Sequence, residues 1–216
     1  MKTHPHLLLR DALAALFVRA ARGDDEALAA VGELESWTGN GSVGAQLTAL
    51  RAEDGAALFD AGRLAERFEP LAGYVRDRAR RFAAACQWIQ EERSSDDALE
   101  CARAAWDAGL FFEVHELVEP VWLDDRTDRR PALQGIIMAG AALHHLVEGN
   151  LAGAGSLLGD AARHLESAPR DDRFDLEAFA KGLAEIGERV KAREISTIED
   201  LGTLPRIERR TERHGE

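Results

Sequence analysis

Glycine and proline in this chain fall mainly between runs of helical period, and strand-like alternation is hard to find. With abundant Ala and Leu, that distribution predicts an all-α fold, a multi-helix array of antiparallel helical hairpins that is either tetratricopeptide-like or an irregular bundle. The spacing predicts helices over Leu7–Ala21, Glu26–Trp37 and Ala45–Leu58. A further helix from Arg63 is ended or bent by Pro70, and a long amphipathic helix follows over Leu71–Glu91. Ser94 and Ser95 are expected to cap a helix over Asp96–Ala108, which Gly109 closes. The next helix contains Pro120, which predicts a kink or an early end near Glu116. Pro131–Val147 is the most apolar run and the expected centre of the core. Leu151–Ser167 and a helix capped by Asp175 and running through Ala192 complete the array. Past Arg193 the residues are mostly polar and charged, which predicts a tail over the surface or partial disorder. The expected organisation is an N-terminal helical region 1–93, a helical domain 94–192 and a C-terminal tail 193–216.

A weak repeat supports the hairpin picture. Gly23, Gly62, Gly109 and Gly149 each stand where a helix is expected to end, at spacings of roughly 40 residues, as in α-solenoids. DAGRLAERFE from Asp60 and DAGLFFEVHE from Asp107 share a Gly-x-x-x-Glu core, with Phe68 standing where His115 stands later.

Charge narrows the function classes. Asp and Glu number 39 against 27 Lys and Arg, a formal net charge of −12, which argues against nucleic acid and against an anionic membrane surface as partners. RDRARR, Arg76–Arg81, is the main basic run and reads as a solvated helix face. No stretch approaches the ~20 apolar residues needed to span a bilayer. The first helix reads as amphipathic and not as a signal peptide, because Arg10 and Asp11 break its apolar run. The two cysteines, Cys86 and Cys101, form no C-x-x-C, so a disulfide framework or thiolate zinc site is not expected, and a cytoplasmic location is. The Gly-rich loop Thr38–Gly44 lacks the Lys-Ser/Thr of a phosphate cradle.

Chemistry is suggested by one stretch, FFEVHELVEPVW, Phe111–Trp122. On a helix, His115 and Glu119 stack one turn apart at ~40° and ~80° round from Phe111, on the shoulder of an apolar stripe. Glu116 lies further out. Half-buried imidazoles and carboxylates acquire shifted pKa values and find partners there.

Together with LQGIIMAGAALHHLVEGNLAGAGSLL, this stretch resembles the DUF309 family, whose pattern runs A/C-H-E-x-L-E-x-x-W, then G-L-I-Q-x-A, then H-x-x-x-G-N-x-x-G-A. The resemblance covers about Ala98–Leu165. It implies an all-helical domain, and a label of predicted metal-dependent hydrolase sometimes accompanies the family. Its polar positions fall on His115, Glu116, Glu119, His145, Gly149 and Asn150, with Trp122 as the aromatic. Met138 stands where the family usually has Gln, and Pro120 is a second departure.

Two readings of these residues stay open. In the first, His115, Glu119 and His145 hold a divalent ion such as Zn, Fe or Mn, and Glu116 acts as the catalytic base of a hydrolase. In the second, His115, Glu116, Glu119 and His145 form a hydrogen-bonded polar seam in a helical scaffold or interaction module, and Trp122, Met138, Gly149 and Asn150 are structural. A small-molecule binding domain without metal is a third class. The identity of a small-molecule or protein partner, or of a second copy of the chain, is not legible.

Overall fold

The structure, a computed structural model, describes residues 4–39 and 43–210; Asn40–Ser42 of the Gly-rich loop and the last six residues of the tail lie outside the described residues. The fold is an all-α array. It divides into two compact units, Met1–Glu113 and Val114–Glu216.

The first unit holds α1 (Pro5–Ala21), α2 (Asp25–Ser36), α3 (Ala45–Ala49), α4 (Ala72–Glu91) and α5 (Ala98–Asp107). Local chemistry sets most of the ends. Asp24 caps α2 by accepting from Ala27 N–H at 2.9 Å, and Asp97 caps α5 by accepting from Leu99 N–H and Glu100 N–H. The expected caps Ser94 and Ser95 do not serve α5; the Ser94 N–H instead closes the end of α4 by donating to the Ile89 carbonyl at 3.1 Å. Phe17 of α1 stacks on Phe82 of α4 at 4.9 Å between ring centroids, and both are fully buried.

Two expected helices are not formed. The helix over Ala45–Leu58 ends at Ala49, and the segment from Arg63 is not an α-helix. Asp54-Gly55 makes a tight turn instead, with Gly55 at φ 81° and the Asp54 carboxylate accepting from Ala56 N–H. Strands β1 (Phe59–Asp60) and β2 (Arg63–Leu64) then pair antiparallel, Phe59 opposite Leu64. Ala61 and Gly62, both at positive φ, form the two-residue turn that matches strand twist. A 3-10 helix, Glu66–Leu71, carries Pro70 into α4. Burial accounts for the outcome: Leu58, Phe59 and Leu64 are all buried, while Trp37 packs edge-on against Phe59 at 5.5 Å and donates to the Gly62 carbonyl at 3.2 Å. Gly62 therefore turns a hairpin, whereas Gly23, Gly109 and Gly149 follow helices, and the Asp60 and Asp107 segments share a positive-φ glycine without sharing an element.

Helix α6 (Phe111–Asp124) crosses the division between the units and runs unbroken through Pro120. The expected early end does not occur. Proline removes one helical hydrogen bond, but Val114, Leu117 and Val118 are fully buried, and the ladder resumes with Asp125 N–H to the Val121 carbonyl at 2.9 Å.

The second unit contains α7 (Arg130–Val147), α8 (Leu151–Ser167) and α9 (Leu176–Lys191). Consecutive helices pack against each other, and their glycines set how closely. A Cβ at Gly135 would stand 2.6 Å from Leu165 Cγ and 3.0 Å from the Ala161 carbonyl oxygen; one at Gly187 would stand 3.1 Å from Leu158 Cβ. The segment past Arg193 is no loose tail as far as Arg210. Ile195, Leu201 and Ile207 are buried, a 3-10 helix (Ile198–Leu201) is closed by a Thr197/Asp200 capping box, and Phe174 bridges Arg209. Three apolar residues spaced among charged ones suffice to hold such a strap.

Gly135→Ala should destabilise the protein by about 1–3 kcal/mol, because the Ala161 backbone cannot yield. Gly32→Ala, on α2 with nothing within 4 Å of the added Cβ, should stabilise it by up to about 1 kcal/mol. Chemical denaturation of the two variants measures both.

Candidate functional site

On α6 the His115 Nδ1–H donates to Glu116 Oε1 at 3.0 Å. Both side chains are partly exposed, 28% and 38%, as a helix shoulder predicts. The bond to Glu116 raises the imidazole pKa above its ordinary value; partial burial opposes that rise, and the charges of Glu116 and Glu119 add to it. The same bond leaves the Nε2 edge of the ring clear of Glu116, the arrangement of an oriented base or ligand. Glu119 is half-buried one turn along.

His145 is engaged differently. Asn150 Oδ1 accepts from the Gly153 N–H at 3.0 Å, capping α8. A backbone N–H can only donate, so the other end of the amide is nitrogen, and Nδ2–H donates to His145 Nδ1 at 3.2 Å. The Asn150 N–H also donates to the His145 carbonyl at 2.8 Å, and Gly149, at φ 75°, supplies the left-handed residue that ends α7. Met138 is half-buried. Trp122 has the Arg130 guanidinium 4.1 Å from its ring centroid, and Arg130 Nη1 donates to the Trp122 carbonyl at 2.6 Å, tying the end of α6 to the start of α7. The Trp122 indole N–H is buried with no hydrogen-bond partner among the described residues.

The structure thus forms two separate polar pairs, His115 with Glu116 and His145 with Asn150. Among the described residues no group of three or more His, Cys, Asp or Glu side chains is arranged to hold a metal ion. His115 with Glu119 would supply two donors, fewer than the three protein ligands of a catalytic zinc site. Burial pushes the Cys86 thiol up to about 12 and the Cys101 thiol up to about 11, above the range of a reactive thiolate.

Residues 99–157 match the DUF309 family, described as a domain of unknown function. The matched segment begins in α5, takes in all of α6 and α7 and enters α8. An uncharacterized protein of Aquifex aeolicus (strain VF5) is 28% identical over 112 residues, which are 51% of this chain and 31% of that protein. The match therefore spans about a third of the relative's length. No solved structure matches the chain.

Sequence reasoning missed Glu113 and Arg78. Glu113, on the first turn of α6, is 1% exposed and Arg78 of α4 is 9% exposed, and Arg78 Nη1 lies 3.4 Å from Glu113 Oε2. The basic run expected to form a solvated face does so at Arg76 and Arg80, but Arg78 points inward. Its signal was positional: it belongs to the buried set Val75, Arg78, Ala79, Phe82 and Ala85 at helical core spacing. An arginine in such a register requires a buried carboxylate.

NMR titration should place the His115 pKa above 6.5, and Glu116→Gln should bring it down. Because the folded value is raised, the pair's contribution to stability is complete below the unfolded value of about 6.5 and is lost as the pH rises through the folded value. Denaturation of wild type and Glu116→Gln across pH 5–9 should therefore converge at the alkaline end.

Proposed function

We propose that the DUF309 segment is a non-catalytic helical module, a scaffold or binding domain whose polar residues close the turns of its hairpins. The observation that carries this reading is the double use of Asn150, which caps α8 and holds the His145 ring in one geometry. Gly149 at the end of α7 and Arg130 over Trp122 serve the neighbouring turns in the same way. A residue that ties two helices together in this fashion contributes to register, which is what a rigid interaction surface requires.

The partner of such a module is a small molecule or another protein chain, a second copy included. With a net charge of −12, nucleic acid and anionic membrane are unfavourable partners, and no helix among the described residues is long and apolar enough to cross a membrane. Buried, unpaired Cys86 and Cys101 suit a reducing cytoplasm.

A hydrolytic reading keeps one observation in its favour. Glu116 orients the His115 ring, as the carboxylate partner of a general base or ligand would, and Glu119 follows one turn later. Elemental analysis of untagged protein separates the two readings. The module requires no Zn, Fe or Mn at near one equivalent, before or after addition of Zn or Mn; a full equivalent that disappears in the His115→Ala/Glu119→Ala variant would establish the metal-dependent site in its place. Asn150→Ala should lower stability by about 1–2 kcal/mol, the loss of a helix cap, with His164→Ala, at an unrelated helical histidine, as the neutral control.

A further inference from the structure

In the second unit the end of α8, the turn after it and the start of α9 line a cleft of about 750 Å³ that lies outside residues 99–157. That volume is within the range of small-molecule sites. Leu165, Pro169 and Leu176 give the cleft an apolar wall, and charged groups of both signs complete it.

Backbone bonds hold this wall in place. The strap past Arg193 returns antiparallel to the turn, Phe174 opposite Arg209. Asp175 N–H donates to the Glu208 carbonyl at 2.9 Å, and Arg210 N–H to the Arg173 carbonyl at 2.7 Å. Asp171 Oδ1 accepts from the N–H groups of Arg173 and Phe174, and Asp175 Oδ1 accepts from Ala178 N–H as the cap of α9. Arg210 is fixed from one side: its Nε–H donates to the carbonyls of Asp171 and Phe174 at 2.9 and 3.1 Å, and its side chain is only 22% exposed. The far edge of the guanidinium is less engaged. Nη2 lies 3.5 Å from Asp175 Oδ1, longer than an ordinary charge-assisted bond, and Nη1 bonds to no described residue. A guanidinium anchored through Nε has already lost much of the side-chain freedom that binding would otherwise cost.

We propose that this cleft binds a free α-amino acid with an apolar side chain, its carboxylate accepting from the Nη edge of Arg210 and its ammonium donating to the Asp175 carboxylate. Charge selects that class. The lining carries Glu166, Asp171, Asp175 and Glu177 against Arg170, Lys181 and Arg210, so a plain anion meets four carboxylates and a plain cation meets three bases. Arg210 and Asp175 stand side by side, and an amino acid presents both of its charges from one carbon. Each charge then finds its opposite within the same small space. The apolar side chain lies against Leu165, Pro169 and Leu176, where leaving water is favourable. The site does not rest on the role proposed for residues 99–157.

The test is a proton–nitrogen NMR titration of the full chain, following the Arg210 Nε–H and the backbone amides of Leu176 to Ala178. The probes are leucine, 4-methylpentanoate, which lacks the ammonium, and 3-methylbutylamine, which lacks the carboxylate. Leucine should move these resonances saturably, and each singly charged analogue should bind at least about tenfold more weakly, one charge-assisted hydrogen bond's worth. Asp175→Asn keeps a capping side chain on α9 and removes the charge; it should weaken leucine about tenfold and leave 4-methylpentanoate no weaker. If leucine moves none of these resonances, the charges of the cleft are solvated surface and the proposal fails. If 4-methylpentanoate or 3-methylbutylamine binds as tightly as leucine, the site reads one charge only and the proposed ligand class is wrong. The wild-type titrations decide both points even if Asp175→Asn does not fold.

Discussion

The second unit depends on how closely helix backbones approach at its glycines. At Gly135 the space a side chain would occupy is filled by Leu165 and the Ala161 carbonyl, and at Gly187 and Gly155 by Leu158 and by Val190 and Lys191. With α7, α8 and α9 drawn together in this way, the turns between them must be short and exact in register, and Gly149 and Asn150 meet that need by ending α7 and starting α8 within two residues. The strap past Arg193 follows the same logic, since Pro205 occupies the space above Gly182. A stripe of small residues thus sets the geometry in which His145 and Asn150 meet.

Helix α6 carries two polar sites with opposite physical character. Glu113 lies ~160° round the helix from His115, one deeply buried against a guanidinium, the other half-exposed against a neighbouring carboxylate. Burial makes the first pair costly and sensitive to geometry. Solvent makes the second inexpensive and adjustable by pH. A helix with Pro120 in its interior can carry both because its apolar stripe of Val114, Leu117 and Val118 is fully buried and holds the backbone regardless of the missing hydrogen bond.

The legibility of the chain follows the range of the interactions involved. Helix periods, the Asp175 cap and the Gly149-Asn150 turn are short-range features, each contained in a few residues, and they are read directly from the sequence. The β1–β2 hairpin is not, because it is held by Trp37, far along the chain, which packs on Phe59 and donates to the Gly62 carbonyl. Arg78 was concealed by its neighbours Arg76, Arg80 and Arg81, since a basic run looks solvated unless its helical register is set against the partner that one member will meet. The strap past Arg193 was concealed in a similar way by the charges between Ile195, Leu201 and Ile207.

The sequence by itself determined an all-helical chain, the place of most helices, and a His115-Glu116-x-x-Glu119 arrangement within one and a half turns, because each follows from backbone periodicity and neighbours a few residues apart. Only the tertiary structure decided which polar groups meet. It placed His145 beside Asn150, turned Arg78 inward onto Glu113, and made a hairpin where a helix was expected. Those outcomes depend on contacts between residues far apart in the chain, whose energies outweigh local preference only once the core has assembled.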